Sequence, residues 1–129
     1  MALPPLILII DDEADFREIF STRLLAAGMR VETAENGTQG IEKTKALKPN
    51  LVLLDMMMPD MTGADALLKL KDDPETKDIK IVFLSNIGGT QPEAKEVNDK
   101  FAQGSGAAGY LRKTDDYDVI VNGVKGFLQ

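Results

Sequence analysis

Five residues spread along the chain are of types that could share one piece of chemistry. Asp11 and Asp12 follow the apolar run Leu6-Ile7-Leu8-Ile9-Ile10, and Asp55 follows Leu51-Val52-Leu53-Leu54. Ser85 follows Ile81-Val82-Phe83-Leu84, and Lys113 follows Tyr110-Leu111-Arg112. A carboxylate can act as a nucleophile and carry a phosphoryl group as an acyl phosphate. Crowded carboxylates repel one another unless a cation joins them. Magnesium suits such a group, because it takes a few carboxylates and keeps waters and phosphate oxygens in its shell. Lys113 would add a second positive charge and Ser85 a hydroxyl. Phosphoryl transfer needs mainly positioning and charge stabilisation, which this set supplies with Asp55 as acceptor. Taken singly, each residue has an ordinary use. Asp11-Asp12 would cap a helix, worth about 0.5–2 kcal/mol. Asp55 and Ser85 would serve in turns, Lys113 on the surface and Tyr110 in the core. Their joint placement after successive apolar runs carries the chemical reading.

Those runs must be elements that bring the five residues together. Leu6 to Ile10 and Leu51 to Leu54 read as strands buried on both faces. Arg30-Val31-Glu32-Thr33-Ala34 is a shorter strand, 79–84 holds a fourth and Ala107-Ala108-Gly109-Tyr110-Leu111 a fifth. Helical spacing separates them. Phe16, Ile19, Phe20 and Leu24 form one inward face, and Gly28 follows that helix as its stop. Asn36 reads as the cap of a second helix with Ile41 and Leu47 inward, stopped by Lys48-Pro49-Asn50. Thr62 caps a third, with Ala66, Leu67 and Leu70 inward, ahead of the polar connector 72–78. A fourth helix is expected over 92–101, with Pro92 in its first turn and the break Gly104-Ser105-Gly106 after it. The last has Ile120, Val121, Val124, Phe127 and Leu128 on its buried side. Strict alternation of strand and helix predicts a parallel sheet covered on both faces, with right-handed crossovers. Ligands of such sheets bind outside the carboxyl ends of the strands, where all five residues fall.

Composition narrows the chemistry. The chain has 129 residues, suited to one domain spanning 1–129, and a formal charge of −6. No basic stripe is available for direct nucleic-acid binding. There is no Cys and no His. Thiolate sites, disulfides and the usual general base are therefore excluded, and any metal must sit among oxygen ligands. No run is long enough to cross a membrane, and the start Met1-Ala2-Leu3-Pro4-Pro5 lacks a basic, cleavable leader, so a cytoplasmic protein is expected. No Gly-rich fingerprint follows the first strand, which disfavours nucleotide binding there.

Four motifs together resemble the receiver domain of bacterial two-component response regulators, the CheY-like family, over essentially the whole chain. They are Ile9-Ile10-Asp11-Asp12-Glu13, Leu54-Asp55 through Pro59-Asp60-Met61-Thr62-Gly63, Leu84-Ser85, and Tyr110-Leu111-Arg112-Lys113. The resemblance implies a flavodoxin-like (βα)5 fold with strand order 2-1-3-4-5. It implies Asp55 as phosphoacceptor, with Asp12, Asp55 and the backbone carbonyl of Met57 as direct Mg2+ ligands and Asp11 acting through a metal-bound water. It makes Ser85 the switch hydroxyl, Tyr110 the aromatic that moves with it and Lys113 the partner of the phosphoryl group. The implied donor is a phosphohistidine on a sensor histidine kinase or a histidine phosphotransfer domain. The implied output is to a downstream effector through the face of the fourth helix, fifth strand and fifth helix, with homodimer formation left open. Such a domain catalyses only its own phosphorylation and dephosphorylation.

Three departures from the family pattern carry expectations. The lysine is usually followed by a proline after a cis peptide, whereas Thr114 stands here. A cis bond before a non-proline residue costs about 2.5–4 kcal/mol, so the loop after Lys113 is either held cis by the fold or trans and differently shaped. The stretch from Ser85 to Tyr110 is long and has glycines at both ends. Met57 and Ile87 are apolar where the family flanks its attacking water, which predicts slow spontaneous dephosphorylation. The rival reading is a docking module of the same fold, indifferent to phosphorylation. An Asp55-dependent phosphatase or mutase is weaker, because the second acid such an enzyme needs is replaced by Met57.

Overall fold

The computed structural model describes residues 3–86 and 106–129. Five parallel strands form one sheet: β1 (Leu6–Ile10), β2 (Arg30–Ala34), β3 (Leu51–Asp55), β4 (Lys80–Ser85) and β5 (Gly109–Arg112), in the order β2-β1-β3-β4-β5. This is the expected flavodoxin-like order. The near-continuous apolar runs β1 and β3 lie next to each other in its middle, while the alternating sequence of β2 sits at an edge with Arg30 and Glu32 exposed. The register aligns the strand ends. Ile10 lies between Ala34 and Leu54, Asp55 beside Leu84, and Ser85 beside Arg112.

Among the described residues, four helices cover the sheet: α1 (Ala14–Ala26), α2 (Gly37–Leu47), α3 (Gly63–Asp72) and a C-terminal helix (Tyr117–Phe127). Period-two alternation in the strands sends side chains into two cores. Ile7, Ile9, Leu51, Leu53, Val82 and Leu84 meet Phe16, Phe20 and Leu24 of α1 and Ile120 and Val124 of the C-terminal helix. Leu8, Ile10, Val52, Leu54, Ile81 and Phe83 meet Ala66, Leu67 and Leu70 of α3. Phe16 stacks on Phe20 with centroids 5.4 Å apart, and Tyr117 lies 6.2 Å from Phe20, joining α1 to the C-terminal helix. None of the helices among the described residues is long and apolar enough to cross a membrane.

The helix signals act as expected at three ends. Gly28 follows α1 with φ +90°, Asn36 accepts from the Gln39 amide at 2.9 Å, and Thr62 accepts from the Asp65 amide at 3.1 Å. Other expectations need correction. Ile19 is 43% exposed and Leu47 is 38% exposed, so neither belongs to an inward face. β4 begins at Lys80 and takes in Ser85, and β5 begins at Gly109 rather than Ala107. The expected helix over 92–101, the glycines on either side of it other than Gly106, and Ile87 lie outside the described residues.

The misplacement of Leu47 has a physical cause. The buried face of α2 consists of Gly37, Gly40 and Thr44, with Ile41 beside it. Small residues let the helix backbone approach the sheet so closely that large side chains have no room between them. A Cβ on Gly40 would lie 2.5 Å from Cδ1 of the buried Ile10. Alanine there gains helix propensity, about 1 kcal/mol, but overpacking a filled core costs about 1–3 kcal/mol. Gly40→Ala is therefore expected to lower stability by about 1 kcal/mol net, read as a lower urea midpoint at unchanged slope.

Candidate functional site

Two neighbouring strand ends bring the three acidic residues together. Asp11 follows β1, with its amide bonded to the Ala34 carbonyl of the neighbouring strand at 3.1 Å. Asp55 is the last residue of β3. One carboxylate oxygen from each of Asp11, Asp12 and Asp55 lies within 4.8 Å of the others, a grouping that could hold a metal ion. Asp11 is fully buried and Asp55 is 1% exposed, whereas Asp12 is exposed. Oδ1 of Asp55 is buried and has no hydrogen-bond partner. Burial first, and then the neighbouring Asp11 carboxylate, push the Asp55 carboxyl up to about 7. A buried, partnerless oxygen in a cluster of like charge is what a divalent cation would satisfy, and hard oxygen donors suit magnesium.

Lys113 reaches this cluster from the end of β5. Its Nζ makes an ion contact with Asp11 Oδ2 at 2.8 Å and bonds to Glu13 Oε1, and it lies 4.7 Å from the centroid of the Phe16 ring. The two partners respond oppositely to burial. Burial dominates at Asp11 and raises its pKa despite the nearby ammonium. At Lys113 burial works to lower the pKa, but the Asp11 and Glu13 carboxylates outweigh it and hold it above the ordinary value. No peptide bond among the described residues is cis, so Lys113–Thr114 is trans, and Lys113 reaches the acids all the same. Its amide bonds to the Ser85 carbonyl at 2.9 Å, continuing the β4–β5 ladder past the strand ends.

Ser85 is buried at the end of β4, next to Asp55's own neighbour Leu84. Tyr110, opposite Phe83, is half-buried against the core under α3. Met57 lies on the loop after Asp55 with a 67% exposed side chain and pairs with Thr62 in an isolated antiparallel bridge. Gly63 closes the loop by donating its amide to the Met56 carbonyl at 2.8 Å. A Cβ on Gly63 would lie 2.5 Å from the Asp55 carbonyl oxygen, so only glycine lets the loop return so close to the strand.

Two participants escape the sequence reading. Glu13 shares Lys113 with Asp11; its place directly after Asp11-Asp12 was the available signal. Arg17, one turn into α1, donates to the Asp11 carbonyl at 2.7 Å and braces the loop that carries both acids.

The model of the response regulator receiver domain matches residues 7–125. The chain belongs to that family. The receiver domain is 34% identical over 125 residues to the DNA-binding dual master transcriptional regulator RpaA of Synechocystis, covering 97% of this chain and 49% of that protein. It is 36% identical over 125 residues to the phosphate regulon transcriptional regulatory protein PhoB of Pseudomonas aeruginosa, covering 95% and 51%. The chain thus spans about half the length of these curated relatives. Among solved structures, the chemotaxis response regulator CheY4 of Vibrio cholerae superposes with a TM-score of 0.82 at 26% identity, covering 96% of this chain and 98% of that one. The response regulator TrrA of Thermotoga maritima, solved in complex with Mg(2+)-BeF, superposes with a TM-score of 0.77 at 28% identity, covering 95% and 98%. The receiver domain is accordingly a two-component signalling domain rather than a classical enzyme.

Proposed function

We propose that residues 1–129 form one receiver domain that accepts a phosphoryl group on Asp55. One observation carries this reading: a buried, partnerless Asp55 oxygen at a strand end, grouped with Asp11 and Asp12 within 4.8 Å. The donor is a phosphohistidine on a sensor histidine kinase or a histidine phosphotransfer domain. A carboxylate oxygen of Asp55 attacks phosphorus as the P–N bond breaks. The electron pair leaves with the imidazole, and Asp55 becomes an aspartyl phosphate. Asp12, Asp55 and the Met57 carbonyl would hold Mg2+ directly, with Asp11 acting through water. The Mg2+-bound structure of the relative TrrA supports the metal assignment. When bound, the cation neutralises the charge of the carboxylates and of the incoming group. Lys113 exchanges part of its contact with Asp11 and Glu13 for the phosphoryl oxygens. Ser85 and Tyr110 then follow the new charge and bias the domain toward a state read by an effector.

Intact-mass spectrometry after incubation with acetyl phosphate and magnesium tests the reading, with Asp55→Asn as control. A single phosphate adduct is expected, absent without magnesium and absent in the variant. No adduct in the unaltered chain would overturn this reading in favour of a docking module indifferent to phosphorylation.

A further inference from the structure

Asp60 stands at the tip of the loop between β3 and α3, but its carboxylate faces α2. Oδ1 accepts from the Gly37 amide at 3.0 Å, and Oδ2 accepts from the Thr38 amide and the Thr38 hydroxyl, both at 2.9 Å. These amides belong to the first turn of α2, where no partner exists within the helix. The Gly37 amide first, and then the Thr38 donors, hold the Asp60 carboxyl below the usual carboxylate range. The neighbouring Met61 also packs on this turn, since a Cβ on Gly37 would lie 2.4 Å from Met61 Cγ. Yet α2 already has a cap in Asn36, which accepts from the Gln39 amide. Asp60 adds a tie between two segments 22 to 23 residues apart.

That tie falls at the tip of the loop, away from its closed base. The base of the loop is closed by the bond from the Gly63 amide to the Met56 carbonyl and by the bridge between Met57 and Thr62. The tip is held by Asp60 and Met61 on α2. We infer that Asp60 is a positioning residue for cation binding: by fastening the loop tip to α2, it restricts the loop that carries Met57, whose carbonyl is a proposed cation ligand. This rests on the proposed magnesium site. A loop released at its tip has more conformations to lose when a cation binds, and its carbonyl ligand is less well prepared. Supporting residues outside the ligand set commonly change metal affinity by about 10–100-fold.

Titration calorimetry of Mg2+ on the full chain separates this role from simple helix capping. Asp60→Ala is expected to weaken magnesium binding by about 10-fold. Asp60→Asn, which keeps one acceptor and the same shape, is expected to fall between that variant and the parent. Asn36→Ala removes the other cap of the same helix turn without touching the loop, and should stay within about twofold of the parent. The inference is overturned if Asp60→Ala binds as tightly as the parent, or if Asn36→Ala loses as much, because helix stability alone would then account for the effect. Should Asp60→Ala fail to fold, parent-like affinity in Asp60→Asn overturns it equally. A parent chain that takes up no magnesium overturns the metal site, and this inference with it, before any variant is compared.

Discussion

Replacing Asp55, the proposed acceptor, is expected to make the metal-free domain more stable. Asp55 is buried, its Oδ1 has no partner and its pKa is pushed up to about 7 from an ordinary value of 3.8. The folded state therefore holds a proton that the unfolded chain has already released at intermediate pH. Stability falls as pH rises between about 4 and 7, and the penalty is complete above that window. Removing the charge with Asp55→Asn should raise the unfolding free energy by about 2–4 kcal/mol at pH 8. The advantage should shrink steadily below pH 7 and vanish near pH 4, where both chains are neutral at this position. Urea unfolding of both proteins in chelator across pH 4 to 8 measures it. Magnesium should stabilise the parent by mass action and leave Asp55→Asn nearly unchanged. A variant no more stable than the parent at pH 8 would mean that the cluster is better solvated than its burial indicates.

The opposite sign is expected at Lys113. Its side chain is 4% exposed and contacts the fully buried Asp11. Lys113→Met keeps the aliphatic stem over Phe16 but removes the cation, leaving Asp11, Asp12 and Asp55 without their balancing charge. Breaking a buried pair from one side costs about 3–5 kcal/mol, and that loss is expected at pH 8. The raised pKa of Lys113 means that its contribution is present at all pH values below its ordinary 10.5 and is lost only above it. The variant should nevertheless recover part of its loss as pH falls toward 5, because the abandoned Asp11 and Asp55, both already raised, then take up protons. Adding Asp55→Asn should restore more stability to Lys113→Met than it adds to the parent, a coupling expected of groups in one charge network. Additive effects of the two substitutions would show that Lys113 acts on Asp11 alone.

The two predictions describe one device. The fold holds carboxylates together at a cost in stability and offsets part of that cost with one lysine; a cation at the proposed site would relieve the remainder. A phosphoryl group arriving at Asp55 would change this balance, which is how a local charge can move a larger equilibrium.

Much of this was legible in the chain itself. The apolar runs 6–10 and 51–54, their alternation with helical spacing and the polar residue ending each run determine a parallel sheet with its acids on one edge. Period and composition act locally, so they can be read without knowing what lies across the sheet. Tertiary structure decided the rest. Asp11 and Asp12 are adjacent and of one type, yet the first is buried against Lys113 and the second exposed, because the direction of each side chain depends on how the chain leaves β1. Leu47 and Ile19 match a helical period but face outward, because α2 approaches the sheet through Gly40, and because α1 offers its buried stripe through Phe16, Phe20 and Leu24. Asp60 has no role of its own in the sequence motif that contains it, and its three bonds to Gly37 and Thr38 exist only because β3 and β1 lie side by side and bring the loop after β3 against the helix that follows β2. A hydrogen bond spans about 3 Å. No local pattern specifies which distant donors fall within that reach; the packed backbone does.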